Sequence, residues 1–371
     1  MTMCARARVV ILLCEALAVA ACSAPDEIER DIPAVQWSGE YLDYAPQEGA
    51  SGVCDGTLVY MDQYTGLVAD AMGVELDRPV VYVHGSETEE SFCSEHATHG
   101  CAFDDSVYSR FVPQEHEITH GVRGHRGFSH LFFEEGAAEL FGDHAPLELR
   151  VEANGDLLEG IQSAHPDGGL GGWWYPRAGH FAAYLYDRFG SGVESTLIHA
   201  TDAFSSAEHA IAMLERATGE SFEELRAHYD QQPTCDQRRY RYPLYGCEHP
   251  EALRPRCDAQ GEVLTIDEEI SCEDSETVGP RDGALWKTVA VEVPSDGEYT
   301  LTALSDGTGD EDAKVVLEEC SMRCDSIVHE KRYGLFGDTV FLRAGRYALR
   351  ISQPAERPNR ALVTLSGDCG Q

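Results

Sequence analysis

The sequence predicts an α+β protein in three parts: a mostly helical domain over residues 37–232, a cysteine-rich connector over 233–279, and a small all-β sandwich over 280–371. Three observations predict it. Apolar residues recur at helical spacing in several segments between Thr57 and Asp230, interrupted by one apolar run from Pro79 to His84. From Cys235 to Cys272 that periodicity gives way to Pro, Arg, Tyr and four cysteines. Beyond Pro280 the chain breaks into short segments that often alternate apolar and polar residues, separated by turns rich in Gly, Pro and Asp. A chain of 371 residues, 43% hydrophobic and 25% charged, has enough apolar material for two cores.

The N-terminal elements come first. Arg6 and Arg8 precede an apolar stretch from Val9 to Ala21, too short to span a bilayer but long enough for a signal-peptide core, so residues 1–21 read as an export signal. It ends in Val19-Ala20-Ala21-Cys22, which resembles the lipobox of bacterial lipoproteins, where the cysteine becomes the lipidated first residue. The rival reading is ordinary cleavage after Ala20, which would release a secreted protein. Residues 22–36 are polar and carry Pro25, which suits a tether between an anchor at Cys22 and the folded body. The expected location is therefore the cell envelope, on the outer surface or in the periplasm.

In the helical part, Thr57 to Met72 reads as a helix stopped by Gly73, and Pro79 to His84 as a buried strand. Pro113 suits the first position of a helix through His116, Glu117 and His120, with Gly121 and Gly124 as possible stops. Further helices are expected at Leu131 to Gly142, Ala178 to Phe189 (ended by Gly190), Ser206 to Thr218 and Phe222 to Asp230. Sandwich strands are expected at Trp286 to Val293, Tyr299 to Leu304, Lys314 to Glu318, Thr339 to Leu342, Tyr347 to Ile351 and Ala361 to Leu365.

Charge and cysteine count narrow the function. Sixty-five acidic against 28 basic residues leave a net charge of -37, which repels phosphate backbones and anionic lipid; nucleic-acid partners and polybasic membrane docking are poor readings. Of 13 cysteines, Cys4 and Cys14 fall in the signal and Cys22 at its end, leaving ten, a number that pairs completely. They include no pair of C-x-x-C units, so disulfides in an oxidising compartment are favoured over structural zinc. Cys93 with Cys101, and the four between Cys235 and Cys272, look like local partners.

His116-Glu117-Ile118-Thr119-His120 matches H-E-x-x-H, in which two imidazoles one helical turn apart can share one zinc ion while the glutamate faces the metal's water. A catalytic zinc also needs a third protein ligand. Beyond His120, Phe132-Phe133-Glu134-Glu135-Gly136-Ala137-Ala138-Glu139-Leu140-Phe141-Gly142 places acids, the first of them 14 residues on, along an amphipathic helix. There Glu135 and Glu139 share a face, so one can bind metal while the other accepts a hydrogen bond from a ligand histidine's far nitrogen.

At these residues the chain resembles the gluzincin metallopeptidases, the superfamily of thermolysin and the zinc aminopeptidases. Their third ligand is a glutamate on a second helix, often followed by Gly-x-Ala, and Glu135-Gly136-Ala137-Ala138 matches, although the doubled Glu134-Glu135 leaves the ligand ambiguous by one position. Glu139-Leu140-Phe141-Gly142 keeps the spacing of an acid that supports the site. Tyr175-Pro176-Arg177-Ala178-Gly179-His180 resembles the helix that follows the site in lipoprotein-like members, where a Tyr or a His bonds the tetrahedral intermediate; Tyr175 is the first candidate and His180 the second. The resemblance implies a zincin-like fold, Zn2+ held by His116, His120 and Glu135, Glu139 supporting a ligand histidine, Glu117 as general base, and hydrolysis of a peptide or protein substrate without a covalent intermediate.

Other features read more plainly. His96 and His99 suit surface histidines of a disulfide-closed loop, and Asp306 to Asp312 a solvated hairpin. Gly297-Glu298-Tyr299-Thr300-Leu301 and Ala344-Gly345-Arg346-Tyr347-Ala348-Leu349 resemble β-sandwich domains appended to secreted bacterial peptidases, implying accessory binding or stabilisation. The alternative function is a non-catalytic surface binding lipoprotein on a metallopeptidase scaffold; a structural envelope protein, with no zinc, is a third.

Overall fold

The computed structural model describes residues 32–85, 93, 100–142, 153–164, 169–258, 261–305, 313–357 and 359–367. The export signal, Cys22, most of the tether, His96, His99 and Asp306 to Asp312 lie outside the described residues. Among those described, helices and strands mix as an α+β protein, and no helix is long and apolar enough to cross a membrane.

The N-terminal half opens with a five-stranded sheet: β1 Trp37–Ser38, β2 Leu42–Pro46, β3 Val80–His84, β4 Gly100–Phe103 and β5 Ser106–Ser109, in the order β1-β2-β3-β5-β4. Parallel pairing of β2 with β3 needs a crossover. Helix α1, Asp55–Met72, supplies it, ending at Gly73 in the left-handed conformation (φ 64°) that a glycine takes without strain. Its Tyr60, Met61, Tyr64, Val68 and Met72 join Leu42, Val80 and Tyr82 of the sheet in one core with Ile118 and Val122 of α2, Glu115–Gly124.

Helix α3, Leu131–Phe141, follows, then α4 Leu157–Ser163, a single 3-10 turn Gly172–Trp174, α5 Tyr175–Phe189, α6 Gly192–Ala200, α7 Ala207–Thr218 and α8 Phe222–Tyr229. Ser206 and Ser221 cap α7 and α8 through their hydroxyls. Two short helices, α9 Gln237–Tyr240 and α10 Leu244–Glu248, lead into the strands.

These strands build two facing sheets around an apolar core of Val291, Leu301, Val315, Leu317, Leu349, Ile351 and Val363. One sheet runs β13 Val328–Arg332, β12 Lys314–Glu319, β15 Gly345–Pro354, β10 Ala284–Val293, β6 Ala252–Leu253, with β9 Val278–Arg281 also on β10. The other runs β14 Asp338–Leu342, β11 Gly297–Ser305, β16 Asn359–Gly367, β8 Gly261–Ile270, β7 Arg256–Asp258. Strands β6 to β8 and the start of β9 thus fall inside the segment read as connector, and β8 pairs along its length with β16. Its alternation, Val263, Thr265, Asp267 against Leu264, Ile266, is a strand pattern that the surrounding cysteines and prolines obscure.

Two expectations are corrected. Helix α2 begins at Glu115 and not at Pro113, because Pro113 and Gln114 are held by the sandwich: Arg281 Nη1 donates to the Pro113 carbonyl at 2.8 Å and to Glu115 Oε2 at 2.9 Å, and Nη2 to Gln114 Oε1 at 3.0 Å. Of the anticipated local disulfides only Cys93–Cys101 forms; Cys54 pairs with Cys272, Cys235 with Cys324 and Cys247 with Cys320. Three bridges therefore join the helical half to the strands and do not staple the connector to itself. Residues 33–371 form one compact unit.

Two tests arise here. Replacing Cys54 and Cys272 by serine opens a loop of sequence separation 218 and is expected to lower stability by about 2–5 kcal/mol, read from denaturant midpoints. An unchanged midpoint would show that the other contacts close this loop unaided. Glu318 on β12 is pushed up to about 7 by burial, against the lowering pull of Arg238 and Arg241. Its folded value lies above the free one, so the favourable state is protonated: stability from this residue is full below about pH 4.5 and lost as pH rises through about 7. Glu318→Gln should gain on wild type in melting temperature between about pH 5 and about pH 8; parallel curves would reject this.

Candidate metal centre

Helix α2 places His116 and His120 one turn apart, and their rings meet edge to face with centroids 4.8 Å apart. Helix α3 packs against α2 and brings in Glu135. The three ligand atoms form a nearly equilateral triangle: His116 Nε2 to His120 Nε2 3.1 Å, His116 Nε2 to Glu135 Oε2 3.2 Å, and His120 Nε2 to Glu135 Oε2 3.3 Å. Bonds of about 2.0–2.1 Å in a tetrahedron put ligand atoms about 3.3 Å apart, so this donor set, two imidazoles and a carboxylate, fits zinc with a fourth position left over. Gly136 lets α3 approach α5 closely: a Cβ there would stand 2.7 Å from the Ala178 carbonyl oxygen.

The two adjacent glutamates diverge. Glu134 points to the opposite side of His120, where its Oε1 lies 3.0 Å from Nδ1. Its Oε2 accepts from Arg123 Nε at 2.7 Å and from the Ser129 backbone N–H and hydroxyl at 3.0 Å each. Burial pushes the Glu134 carboxyl up, but Arg123 and His120 outweigh it and hold it at about 2. A fixed anion at Nδ1 orients the ring and leaves Nε2 for a metal. Arg123 itself is fully buried and also reaches Glu194 at 3.3 Å.

Glu139 lies behind His116, with Oε1 3.9 Å from Nδ1. Its other oxygen accepts from Arg241 Nη2 at 2.7 Å and Gln237 Nε2 at 3.0 Å. Both donors come from the segment after α8, about a hundred residues on.

Glu117 is buried, and burial raises its carboxyl above the usual range, opposed by His116 and His120 and helped by Glu135. It packs on edge strand β4, where a Cβ on Gly100 would sit 2.9 Å from Glu117 Cγ. The Tyr175 ring lies parallel to that of His116, centroids 6.0 Å apart. Burial raises its phenol far above the usual value, as do the charges of Glu135 and Glu117, so it stays a proton donor beside them. His180 is turned away: Nδ1 meets the Tyr229 hydroxyl at 2.8 Å and Nε2 meets Cys324 Sγ at 3.1 Å. Of the two candidates for the donor role, the geometry brings only Tyr175 to the triangle.

Sequence reasoning missed Arg123, Ser129, Gln237 and Arg241. Arg123 had a signal, standing three residues after His120 on the face of α2 that turns inward; Gln237 and Arg241 had none.

No protein-family model matches the chain, nor does any curated protein. Among solved structures it is similar to the pre-peptidase C-terminal domain of a Bacillus anthracis collagenase, at 16% identity over 31% of this chain and 93% of that one, TM-score 0.21. It is similar also to Legionella pneumophila aminopeptidase A in complex with aspartic acid, at 9% identity, TM-score 0.30, with 88% of this chain covered but only 36% of the aminopeptidase. A third is a carbohydrate-binding module of Cellvibrio mixtus lichenase 5A in complex with cellotriose, at 16% identity over 29% of this chain and 88% of that one, TM-score 0.16. Scores this low decide neither fold nor activity.

Proposed function

We propose that the protein is an exported zinc metallopeptidase of gluzincin type, with a zincin-like catalytic part and a β-sandwich behind it, anchored to the cell envelope through Cys22. The observation that carries this reading is the triangle of His116, His120 and Glu135 with Glu117 beside it. Zinc, when bound, supplies Lewis-acid polarisation of the scissile carbonyl and of water.

The chain's own residues do the rest. Glu134 holds the His120 imidazole from behind at 3.0 Å, and Glu139 sets a carboxylate 3.9 Å behind the Nδ1 of His116. Glu117 takes the proton of the attacking water on its carboxylate and returns it to the leaving amine; its low-dielectric seat makes it a stronger base than a solvated carboxylate. The Tyr175 hydroxyl is placed to donate to the oxygen on which charge develops.

Metal content per chain tests the site. Glu135→Ala should lose zinc, whereas Glu134→Gln, which keeps all three ligands but removes the carboxylate shared by His120 and Arg123, should keep a site weakened by about 10–100-fold. Equal retention in both variants would place the ligand elsewhere. A chelator should stop peptide hydrolysis, and added zinc should restore it.

A further inference from the structure

Apart from the triangle, one other group of ligand-type side chains converges among the described residues: His180 on α5, Cys235 before α9 and Cys324 in the turn between β12 and β13, ligand atoms within 4.8 Å of one another. Cys235 and Cys324 are bonded to each other, and His180 Nε2 faces Cys324 Sγ at 3.1 Å. We propose that these residues form a second, thiol-gated metal site: closed as a disulfide and, once a dithiol reductant opens it, a Cys-Cys-His set for a borderline-soft divalent cation such as zinc.

The surroundings are those of a ligand cluster more than of a passive bridge. The Tyr229 hydroxyl, which donates to the Arg177 carbonyl at 3.5 Å, is set to accept from His180 Nδ1–H. With the ring proton on Nδ1, Nε2 carries the lone pair and faces the sulfurs, as a metal ligand must. Burial and the Arg177 charge lower the imidazole to about 4, against a bond to the Pro233 carbonyl, so the ring is neutral at physiological pH. Arg239 Nη1 reaches the Cys324 carbonyl at 3.4 Å, and Arg177, paired with Asp230 at 3.2 Å, packs 4.4 Å over the Tyr229 ring, so guanidinium groups lie near the bridge. Cys235 is buried, but Cys324 is only partly so and is flanked by exposed Arg323 and Asp325, which leaves a route for a small reductant.

The chemistry balances. A dithiol thiolate attacks Cys324 Sγ, the S–S bond breaks, and Cys235 Sγ leaves as thiolate. The reductant's second thiol then displaces Cys324, so the dithiol ends as its own disulfide while both cysteines are reduced by two electrons in all. The cation replaces the two thiol protons, which pass to solvent, and His180 Nε2 is the third ligand. Zinc–sulfur bonds of about 2.3 Å need the sulfurs about 3.8 Å apart, so the opened pair must part from its bonded distance.

The test uses the full chain, reduced under native, oxygen-free conditions with dithiothreitol and freed of it, with the opened pair identified by alkylation and mass spectrometry. Cobalt(II) is the probe, with the oxidised protein as baseline for the first site. The reduced wild type should take up one additional ion with a thiolate-to-cobalt charge-transfer band; Cys324→Ser should lose the band, and His180→Asn should lose or shift it. Should Cys324→Ser fail to fold, His180→Asn carries the test, since it keeps the disulfide. The proposal is overturned if Cys235–Cys324 stays closed while the fold survives, if the opened protein shows no thiolate band, or if both variants bind as wild type does.

Discussion

Glu117→Gln is expected to keep the fold and the zinc while peptide hydrolysis falls by about 10²–10⁴-fold. The amide matches the carboxylate in shape, so the packing against Gly100 on β4 is undisturbed. The variant also removes a carboxylate that is costly to bury, which should leave stability unchanged or slightly raised. What is lost is the capacity to take a proton. His116→Ala, by contrast, should lose both metal and activity. A Glu117→Gln protein that cleaves peptides as fast as wild type would end the catalytic reading while leaving metal binding intact.

The largest loss of stability is expected from Arg123→Met. Arg123 is fully buried between Glu134 and Glu194, whose side chains are 2% and 1% exposed. Methionine fills much of the volume but leaves two buried carboxylates without their counter-charge, a change that costs about 3–5 kcal/mol. The pH dependence should also reverse at Glu134, while burial already raises the Glu194 carboxyl and losing Arg123 raises it further. With Arg123 present, the Glu134 carboxyl is depressed to about 2, so its stabilisation is present above about pH 4.5 and fades as pH falls through about 2. Without Arg123, burial dominates, the folded carboxyls take up protons more readily than the unfolded ones, and the variant should regain stability as the solution is acidified. Urea midpoints near pH 5 and pH 8 would show it; a loss equal at both would mean that Arg123 acts through packing. Zinc affinity should fall too, since Glu134 then no longer presents a fixed anion to His120.

Much of this architecture was legible in the chain because its signals were local. Gly73, Gly190, Ser206 and Ser221 mark helix ends through backbone geometry and short-range hydrogen bonds, which a reader of sequence can see. His116 and His120 stand one helical turn apart on α2, a spacing the sequence shows directly, whereas Glu135 comes from α3 and was expected only through the resemblance. What could not be read is what arrives from far away. Arg281 fixes the start of α2, Arg241 and Gln237 hold Glu139, and Cys54 finds Cys272; none leaves a trace near its partner. Strand β8 was hidden for another reason, since cysteines and prolines around it suggested loop and outweighed its alternation.

The clasp between Arg281 and Glu115 has a consequence in time. Glu115 leaves the ribosome 166 residues before the guanidinium that neutralises it. Until then the carboxylate can pair with the Tyr60 hydroxyl, which donates to Oε1 at 3.1 Å, but lacks its counter-charge. The start of α2 thus gains its positive partner only once β9 has been made and has reached it.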